Sequence, residues 1–298
     1  MIFLEAGFRS SNVRNTNWQD LSFAIVGLGL IGGSYAKALR ILGARQIIGV
    51  DLSEATLAQA QQMGIIDLGM KAADERLSQA DVVICAIYPE AIAGFIKNNV
   101  ANFKPDVLIT DVAGIKNNMI TEVQAVLAPG MEFISGHPMA GRQSSGLGMA
   151  DAAIFHNANY IIVPEKSNTE AAIQWLEAFA KALGCKNTVR VTPEEHDRTI
   201  AFTSNLPHVT AVALMDSASY NEKTKYFVAG SFRDGTRVAD INPELWCALF
   251  LANKDKVADE IDKYMEQLEL WRKALRAGDG EAMKALMRTS AARRKELY

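Results

Sequence analysis

The chain has 298 residues, of which 49% are hydrophobic and 22% charged, and its formal net charge is −3 at pH 7. This composition is typical of a globular protein with one large or two modest domains, and it gives no electrostatic reason to expect nucleic acid or a membrane surface as a partner. The chain has no apolar run of membrane-spanning length, no CxxC pair among its three cysteines and no helical metal spacing among its four histidines. We therefore expect a cytoplasmic protein that holds no metal.

Short apolar runs alternate with amphipathic patterns from residue 21 to residue 191. Strands are predicted over 23–27, 46–51, 81–88, 106–111, 132–136, 159–164 and 187–191, and helices over 34–42, 53–63 and 168–183. Strands that are apolar throughout are typical of a parallel sheet covered on both faces. The pattern predicts an α/β fold with a doubly wound, Rossmann-type parallel sheet.

The pattern changes at Thr192. The stretch TPEE combines a capping threonine, a proline at the first helical position and a glutamate that completes a capping box. From there to Tyr298 the periodicity is almost entirely helical. We predict an α/β domain over residues 1–192, in which residues 1–20 are a polar lead-in, and an all-helical domain over residues 193–298.

A glycine-rich loop, GLGLIGGS, follows the first predicted strand. Gly27 permits a tight turn, Gly29 lets the backbone approach a pyrophosphate, and Gly32 lets the following helix pack closely. Leu30 and Ile31 open that helix, whose free N–H groups and partial positive charge favour a phosphate. The loop predicts dinucleotide binding, with a flavin or nucleotide site, or a glycine turn without a ligand, as alternatives.

Asp51 ends the second predicted strand, near the expected separation of about 20 residues from the glycine loop. An acidic side chain at this place accepts hydrogen bonds from the ribose 2′-hydroxyl and repels a 2′-phosphate. We therefore expect NAD rather than NADP.

A histidine lies at the end of a later strand, in the stretch SGHPMAG. Ligands of such sheets bind beyond the carboxyl ends of the strands, so this stretch and TDVAGIK (110–116) are predicted to face the nicotinamide. The imidazole of His137 has the right pKa to accept a proton from a hydroxyl while hydride leaves the same substrate, and Pro138 restricts the backbone beside it. The alternative is a histidine whose hydrogen bonds are satisfied by the loop backbone.

Two further stretches carry candidate ligand-binding residues. Pro207 lies inside a predicted helix and kinks it, so that His208 either projects into a cleft or is a buried structural histidine. Arg233 and Arg237 belong to the polar stretch SFRDGTRVADINPELW. Arginine binds a carboxylate through two parallel hydrogen bonds, although the pair taken alone is explained as solvated surface residues.

Together with Asp51, these stretches resemble the TyrA family, the prephenate and arogenate dehydrogenases of tyrosine biosynthesis. The resemblance runs from about residue 22 to the end of the chain and rests on these stretches in this order: GLGLIGGS, TDVAGIK, GHPMAG, SNLPH, FRDGTRVA and NPELW. It implies an NAD(P)-dependent oxidative decarboxylation, in which hydride leaves the ring carbon bearing the 4-hydroxyl and loss of CO2 aromatises the ring. It also implies that the helical half forms a homodimer.

The resemblance assigns roles to residues of this chain. His137 corresponds to the histidine that polarises or deprotonates the substrate hydroxyl, and Arg237 to the arginine that binds a substrate carboxylate. His208, with Ser204 beside it, corresponds to the group that contacts the side-chain end of the substrate. Asn205 replaces a more usual histidine in that block.

The sequence departs from the family pattern at two places. Gly114 stands where many relatives carry a serine that hydrogen-bonds the substrate hydroxyl, so that Ser135, a water molecule or no group takes its place. Arg142 and Gln143, which we include among the substrate-binding candidates, stand where small hydroxyl and acidic residues are common. Because Arg142, Gln143 and His208 supply no carboxylate for an ammonium group, we expect prephenate rather than arogenate as the substrate.

Two other readings of the sequence are weaker. A β-hydroxyacid dehydrogenase needs a lysine on the first long helix after the sheet domain, and this helix has none at an equivalent place. A protein that binds NAD without catalysis is favoured only by Gly114. We also expect neither a fused chorismate mutase nor a C-terminal regulatory domain, so that tyrosine, if it inhibits, competes at the substrate site.

Overall fold

The computed structural model describes residues 17–141 and 145–297. Its eight strands are Ser22–Val26 (β1), Gln46–Val50 (β2), Leu68–Met70 (β3), Val82–Cys85 (β4), Leu108–Asp111 (β5), Glu132–Pro138 (β6), Asn159–Val163 (β7) and Asn187–Arg190 (β8). They form one sheet in the order β3-β2-β1-β4-β5-β6-β7-β8. All seven predicted strands are present, and the three-residue strand β3 was not predicted.

The strands from β3 to β6 pair in parallel, so that their carboxyl ends meet at one edge of the sheet. The sheet is thus mostly parallel, as predicted, and one pair departs from that arrangement, because β7 runs antiparallel to β6. The described residues between those strands contain two short 3-10 turns, Leu147–Met149 and Ala152–Phe155, and no α-helix. A parallel return needs a crossover of about a dozen residues or more, usually an α-helix, whereas an antiparallel return does not.

Eleven α-helices are present among the described residues. They are Leu30–Ile41 (α1), Glu54–Gln62 (α2), Pro89–Asn99 (α3), Asn117–Gln124 (α4), Glu170–Ala182 (α5), Pro193–Ile200 (α6), Leu206–Met215 (α7), Gly230–Thr236 (α8), Pro243–Ala252 (α9), Lys254–Ala277 (α10) and Gly280–Leu297 (α11). A π-helical turn, Ala201–Asn205, lies directly before α7.

The helices of the sheet region cover both of its faces. Residues of β1 alternate between two buried clusters: Phe23 belongs to a cluster that includes side chains of α1, α2 and α5, and Ala24 belongs to a cluster that includes side chains of α3 and α4. Every residue of β1, β4 and β5 is buried. This confirms the doubly wound arrangement that the apolar runs predicted.

Two predicted helix starts are confirmed by their caps. The Ser53 hydroxyl accepts a hydrogen bond from the Thr56 N–H at the start of α2. At the start of α6, the Glu195 N–H donates to the Thr192 hydroxyl and the Thr192 N–H donates to the Glu195 carboxylate, which is the predicted capping box.

The described residues group into two compact units. The first contains the described residues up to Ile200 together with Asp240–Leu249, and the second contains Ala201–Ala239 and the described residues from Phe250 onwards. The first unit therefore holds the whole sheet and also α6, the first helix of the predicted helical domain. The described residues of the second unit form helices joined by turns and loops, with no strand. In the part of the chain that the structure describes, no helix is both long and apolar enough to cross a bilayer.

Candidate active site

The glycine-rich loop joins β1 to α1 through a turn that only glycine adopts readily. Gly27 has φ +87°, and its N–H donates to the Val50 carbonyl at 2.7 Å. A Cβ at Gly27 would lie 2.5 Å from the Ala86 carbonyl oxygen, and a Cβ at Gly32 would overlap the Gly27 carbonyl oxygen. Glycine is thus required at both positions, because the loop, the helix α1 and the segment at Ala86 approach one another closely.

The next glycine of the loop lies against open space. A Cβ at Gly29 would meet no described atom within 4 Å, and Gly29 is the N-cap of α1, where no described side chain caps the helix. Leu30 and Ile31 are the first two residues of the helix. The N-terminus of α1 therefore presents backbone N–H groups without a capping side chain, as an anion site requires.

The carboxylate of Asp51 lies next to this loop. Its Oδ2 accepts the Leu28 N–H at 2.8 Å, and its Oδ1 accepts the Ser53 N–H at 2.8 Å. Each carboxylate oxygen accepts about two hydrogen bonds, so both oxygens keep capacity for a sugar hydroxyl. Asp51 is partly exposed.

His137 lies in the last part of β6, at the same sheet edge as the glycine loop. The strand continues through His137 and Pro138, which pair with Ile161 and Tyr160 of β7. Three inter-strand steps separate β6 from β1, which corresponds to about 14 Å across the sheet. The imidazole is partly exposed, and its Nδ1 lies 2.9 Å from Nε2 of His196.

His196 and Asp197 form a buried pair on α6 behind His137. Nδ1 of His196 lies 2.7 Å from Oδ1 of Asp197, and the two side chains are 1% and 0% exposed. The same carboxylate oxygen accepts the backbone N–H of Lys116 at 2.9 Å. A continuous chain of contacts thus runs from Asp197 through His196 to His137.

A second buried cluster lies directly beneath the end of β6. The Lys116 ammonium donates to Oδ2 of Asp111 at 2.5 Å and to the Gly136 carbonyl at 2.6 Å, and both charged side chains are fully buried. Ser135 donates its hydroxyl hydrogen to Oδ1 of Asp111 at 2.6 Å and is 1% exposed. Within the stretch TDVAGIK the side chains of Asp111 and Lys116 are therefore buried, and the hydroxyl hydrogen of Ser135 is already donated to this cluster.

The protein surroundings keep both contacting histidines neutral at pH 7. Burial lowers the pKa of His137 well below its usual value, and the charge of Lys116 and the proximity of His196 lower it further. Burial also lowers the pKa of His196, although the Asp197 carboxylate opposes that shift. A neutral imidazole is the form that accepts a proton.

Gly114 lies beside the imidazole. A Cβ at this position would lie 4.0 Å from Cε1 of His137 and 3.8 Å from Cδ2 of Leu249, which are ordinary van der Waals distances. The position thus has room for a small side chain next to His137, and in this chain it carries none.

The second unit brings together three of the residues that the sequence predicted. His208 follows Pro207 on α7, and its Nδ1 donates to the Ser204 carbonyl at 2.8 Å. Burial lowers the pKa of His208, and the positive charge of Arg237 contributes to the same shift. Arg237 is exposed, and Ser204 and His208 are partly exposed.

Arg142 and Gln143 lie outside the described residues. The sequence alone assigns no role to His196 and Asp197, although the pair HD directly follows the predicted capping box. Only the fold shows that this helix start lies against the end of β6.

Two family models match consecutive parts of the chain. The nucleotide-binding domain of prephenate dehydrogenase matches residues 35–189, and the dimerization domain of prephenate dehydrogenase matches residues 192–289. Among curated proteins, the prephenate dehydrogenase of Bacillus subtilis (strain 168) is 32% identical over 272 residues, which are 89% of this chain and 73% of the relative. The cyclohexadienyl dehydrogenase of Zymomonas mobilis is 30% identical over 264 residues, which are 87% of this chain and 89% of the relative.

A solved structure is similar over nearly the whole chain. It is the prephenate dehydrogenase of Aquifex aeolicus in complex with hydroxyphenyl propionate and NAD+, with a TM-score of 0.83 and 27% identity. The match covers 92% of this chain and 98% of that chain.

Proposed function

This chain belongs to the prephenate dehydrogenase family, and we propose that it oxidises and decarboxylates prephenate to 4-hydroxyphenylpyruvate with NAD as the hydride acceptor. The observation that supports this most is the placement of a neutral imidazole, His137, at the carboxyl edge of the sheet that also carries the glycine loop. Ligands of such sheets bind at that edge.

The residues of the loop fit a dinucleotide. Gly29 leaves open space above the uncapped N-terminus of α1, where Leu30 and Ile31 present their N–H groups to a pyrophosphate. Asp51 keeps hydrogen-bonding capacity for the ribose hydroxyls, and its negative charge disfavours a 2′-phosphate, so we propose NAD rather than NADP. When bound, NAD accepts the hydride that leaves the substrate.

His137 acts on the hydroxyl of the substrate ring. Its neutral imidazole accepts the hydroxyl hydrogen, so that the electron pair on oxygen supports loss of hydride from the same carbon. Departure of the ring carboxylate as CO2 leaves its bonding electrons in the ring, which becomes aromatic. The proton held by His137 then returns to the phenolic oxygen or passes to solvent.

We propose Arg237, His208 and Ser204 for the other substrate contacts. Arg237 binds a substrate carboxylate, and its exposed guanidinium has the planar donor geometry for two parallel hydrogen bonds. His208 and Ser204, four residues apart on one helical stretch, contact the side-chain end of the substrate. Arg142 and Gln143 remain candidates for the same end.

We propose prephenate as the preferred substrate because the candidate side-chain contacts carry no carboxylate. Arogenate has an ammonium group, which would gain from an acidic partner, whereas Arg142, Gln143 and His208 provide none. Arogenate is the alternative substrate, and side-by-side measurement of kcat/KM for both compounds with NAD and with NADP distinguishes the two. A much higher value with arogenate would reject the preference.

A homodimer is proposed from the surface of the helical unit. Large apolar side chains are exposed there, as at many protein–protein contacts; they include Tyr226, Phe227, Leu251, Met265 and Leu275. A symmetric partner would bury such a surface. Sedimentation equilibrium should give twice the mass of one chain, 32.5 kDa, and a monomer at micromolar concentration would contradict the proposal.

The role of His137 is tested by replacing it with asparagine. His137→Asn should lower kcat about 10²- to 10⁴-fold, because general base catalysis is lost, while NAD still binds with its normal dissociation constant. His156→Asn, at an exposed histidine of the same unit, is the matched control and should retain full turnover. Unchanged turnover in His137→Asn would remove the base from the mechanism.

A further inference from the structure

His196 contacts the imidazole of His137 directly, and Asp197 is linked to it through His196. Neither residue has a part in the mechanism above. We propose that they are positioning residues, which hold His137 in the tautomer with hydrogen on Nδ1 and leave Nε2 as the basic atom. This proposal rests on the proposed function for its catalytic consequence, and on the contact geometry together with a neutral His196 for the tautomer.

The tautomer of His137 follows from Asp197, which can only accept a hydrogen bond from His196. The Asp197 carboxylate has no hydrogen to donate, so the 2.7 Å contact with His196 requires hydrogen on Nδ1 of that ring. Because His196 is neutral, its Nε2 carries no hydrogen. The 2.9 Å contact between this nitrogen and Nδ1 of His137 then requires hydrogen on the His137 atom. The lone pair of neutral His137 is therefore on Nε2.

The positions of both side chains are fixed by buried hydrogen bonds. The Lys116 N–H donates to Oδ1 of Asp197, and the Lys116 ammonium donates to the carbonyl of Gly136, the residue before His137. One lysine thus links the start of α6 to the end of β6. Asp111 pairs with the same ammonium and balances its charge.

The groups around His137 also set the cost of its protonation. The cation Lys116 disfavours the imidazolium of His137. Two carboxylates contact that lysine: Asp111 pairs with its ammonium, and Asp197 accepts its backbone N–H. Asp197 acts on His137 through His196, whose Nε2 accepts the Nδ1 hydrogen of the imidazolium as well as that of the neutral ring. Among the described residues Nε2 of His137 has no hydrogen-bond partner, so it is available to a substrate hydroxyl.

A pair of substitutions at residue 196 separates positioning from simple packing. His196→Leu removes the acceptor for Nδ1, and a free imidazole prefers hydrogen on Nε2, so we expect kcat to fall about 100-fold with the KM values for prephenate and NAD within about twofold. His196→Gln places an amide oxygen near the former Nε2 position and should recover most of that loss. Equal kcat in wild type and His196→Leu would overturn the proposal.

Asp197→Asn removes the negative charge of residue 197 and keeps an oxygen that accepts hydrogen bonds. The amide oxygen still accepts from His196 and Lys116, but loss of the negative charge should disfavour a positive charge on the linked imidazole of His137, so we expect the acidic limb of kcat/KM to move to lower pH. This nearly isosteric variant also serves if His196→Leu fails to fold. An acidic limb at the wild-type position would count against the proposal.

The tautomer itself is measurable without any turnover. The chain has four histidines, so selective 15N labelling of their rings gives a small set of signals, and His137→Asn assigns those of His137. We expect a protonated Nδ1 and an unprotonated Nε2 in the wild type, and the reverse preference in His196→Leu. A protonated Nε2 in the wild type would overturn the proposal even if the enzyme turns over prephenate. If the wild type reduces no NAD with prephenate or arogenate, the proposed function fails, and the nitrogen signals still decide whether His196 sets the tautomer.

Discussion

Tyr160 packs against the backbone of Gly136 so closely that a Cβ at residue 136 would lie 2.7 Å from its hydroxyl oxygen and 2.9 Å from Cε1. The Tyr160 ring is fully buried, and its hydroxyl contacts that of Tyr35 at 3.1 Å. Gly136 directly precedes His137. A larger residue at position 136 would therefore displace the backbone that carries the imidazole.

Gly136→Ala should therefore lower both stability and activity. We expect the free energy of unfolding to fall by about 1–3 kcal/mol, since a buried methyl must displace an enclosed aromatic ring, and kcat to fall because β6 shifts under His137. Urea unfolding and initial rates of NAD reduction measure the two effects. Gly148→Ala is the control, because a Cβ at that exposed glycine meets no described atom within 4 Å. Identical behaviour of the two variants would contradict this account of Gly136.

Gly114→Ser should increase activity. Its Cβ fits at 4.0 Å from Cε1 of His137, and its hydroxyl would add one hydrogen bond near the substrate oxygen. Such a bond contributes about 0.5–1.5 kcal/mol, or two- to twelvefold in kcat/KM. Gly114→Ala supplies the methylene without the hydroxyl and should not increase activity. If serine and alanine give the same rate, the hydroxyl has no role at this position.

Two glycines of the loop should respond differently to alanine. Gly29→Ala should leave thermal stability unchanged, since its Cβ meets no described atom, and should raise the dissociation constant for NAD, since the Cβ fills the space of the pyrophosphate. Gly32→Ala should destabilise the fold itself, because its Cβ overlaps the Gly27 carbonyl oxygen. Thermal melts and NAD titration by fluorescence separate the effects. Normal NAD affinity in Gly29→Ala would place the pyrophosphate elsewhere.

Arg237→Gln should weaken substrate binding. Loss of a charge-assisted pair costs about 1.5–3 kcal/mol, which corresponds to a rise in KM for prephenate of about 10- to 150-fold. The substitution should also raise the pKa of His208, because the positive charge of Arg237 lowers it; NMR titration of the ring measures that change. Arg233→Gln, at an exposed arginine of the same stretch, should change neither quantity.

The acidic limb of kcat/KM should lie below pH 6.5, the usual pKa of histidine, because the folded protein lowers the pKa of His137. The free energy of unfolding should likewise fall at acidic pH. The unfolded chain binds protons at His137 and His196 more readily than the folded chain does, so the stabilisation is present above about pH 6.5 and is lost as the pH falls further. Urea midpoints at pH 7.5 and 5.5 should therefore differ less for His137→Asn than for the wild type.

The sequence predicts the sheet well because its strands are apolar throughout and its helix starts carry caps. Strand β3 has only three residues, Leu68–Met70, without a β-branched side chain, and therefore gives little signal. Hydrophobic periodicity predicts strand β7 but not its antiparallel direction, because a buried strand has the same pattern in either direction. Pro207 marked a disturbed helix, and the disturbance takes the form of a π-helical turn just before it.

The candidate site was predictable where a motif carried it and not where contacts form between distant segments. His137, Asp51 and the glycines stand in recognisable stretches. His196 contacts a residue 59 positions earlier in the chain, and Asp197 accepts a hydrogen bond from one 81 positions earlier. No local sequence pattern indicates a contact between residues so far apart in the chain. Ser135 looked available in the sequence, and only the buried position of Asp111 shows that its hydroxyl is already used.

The membership of α6 in the first unit has a consequence for recombining this protein with its relatives. A chimera joined at residue 192, where the sequence pattern changes, would take His137 from one parent and His196 and Asp197 from the other. Joined after Ile200, it would inherit all three from a single parent. The useful crossover point for exchanging substrate preference among such enzymes is thus eight residues beyond the place where the helical pattern begins.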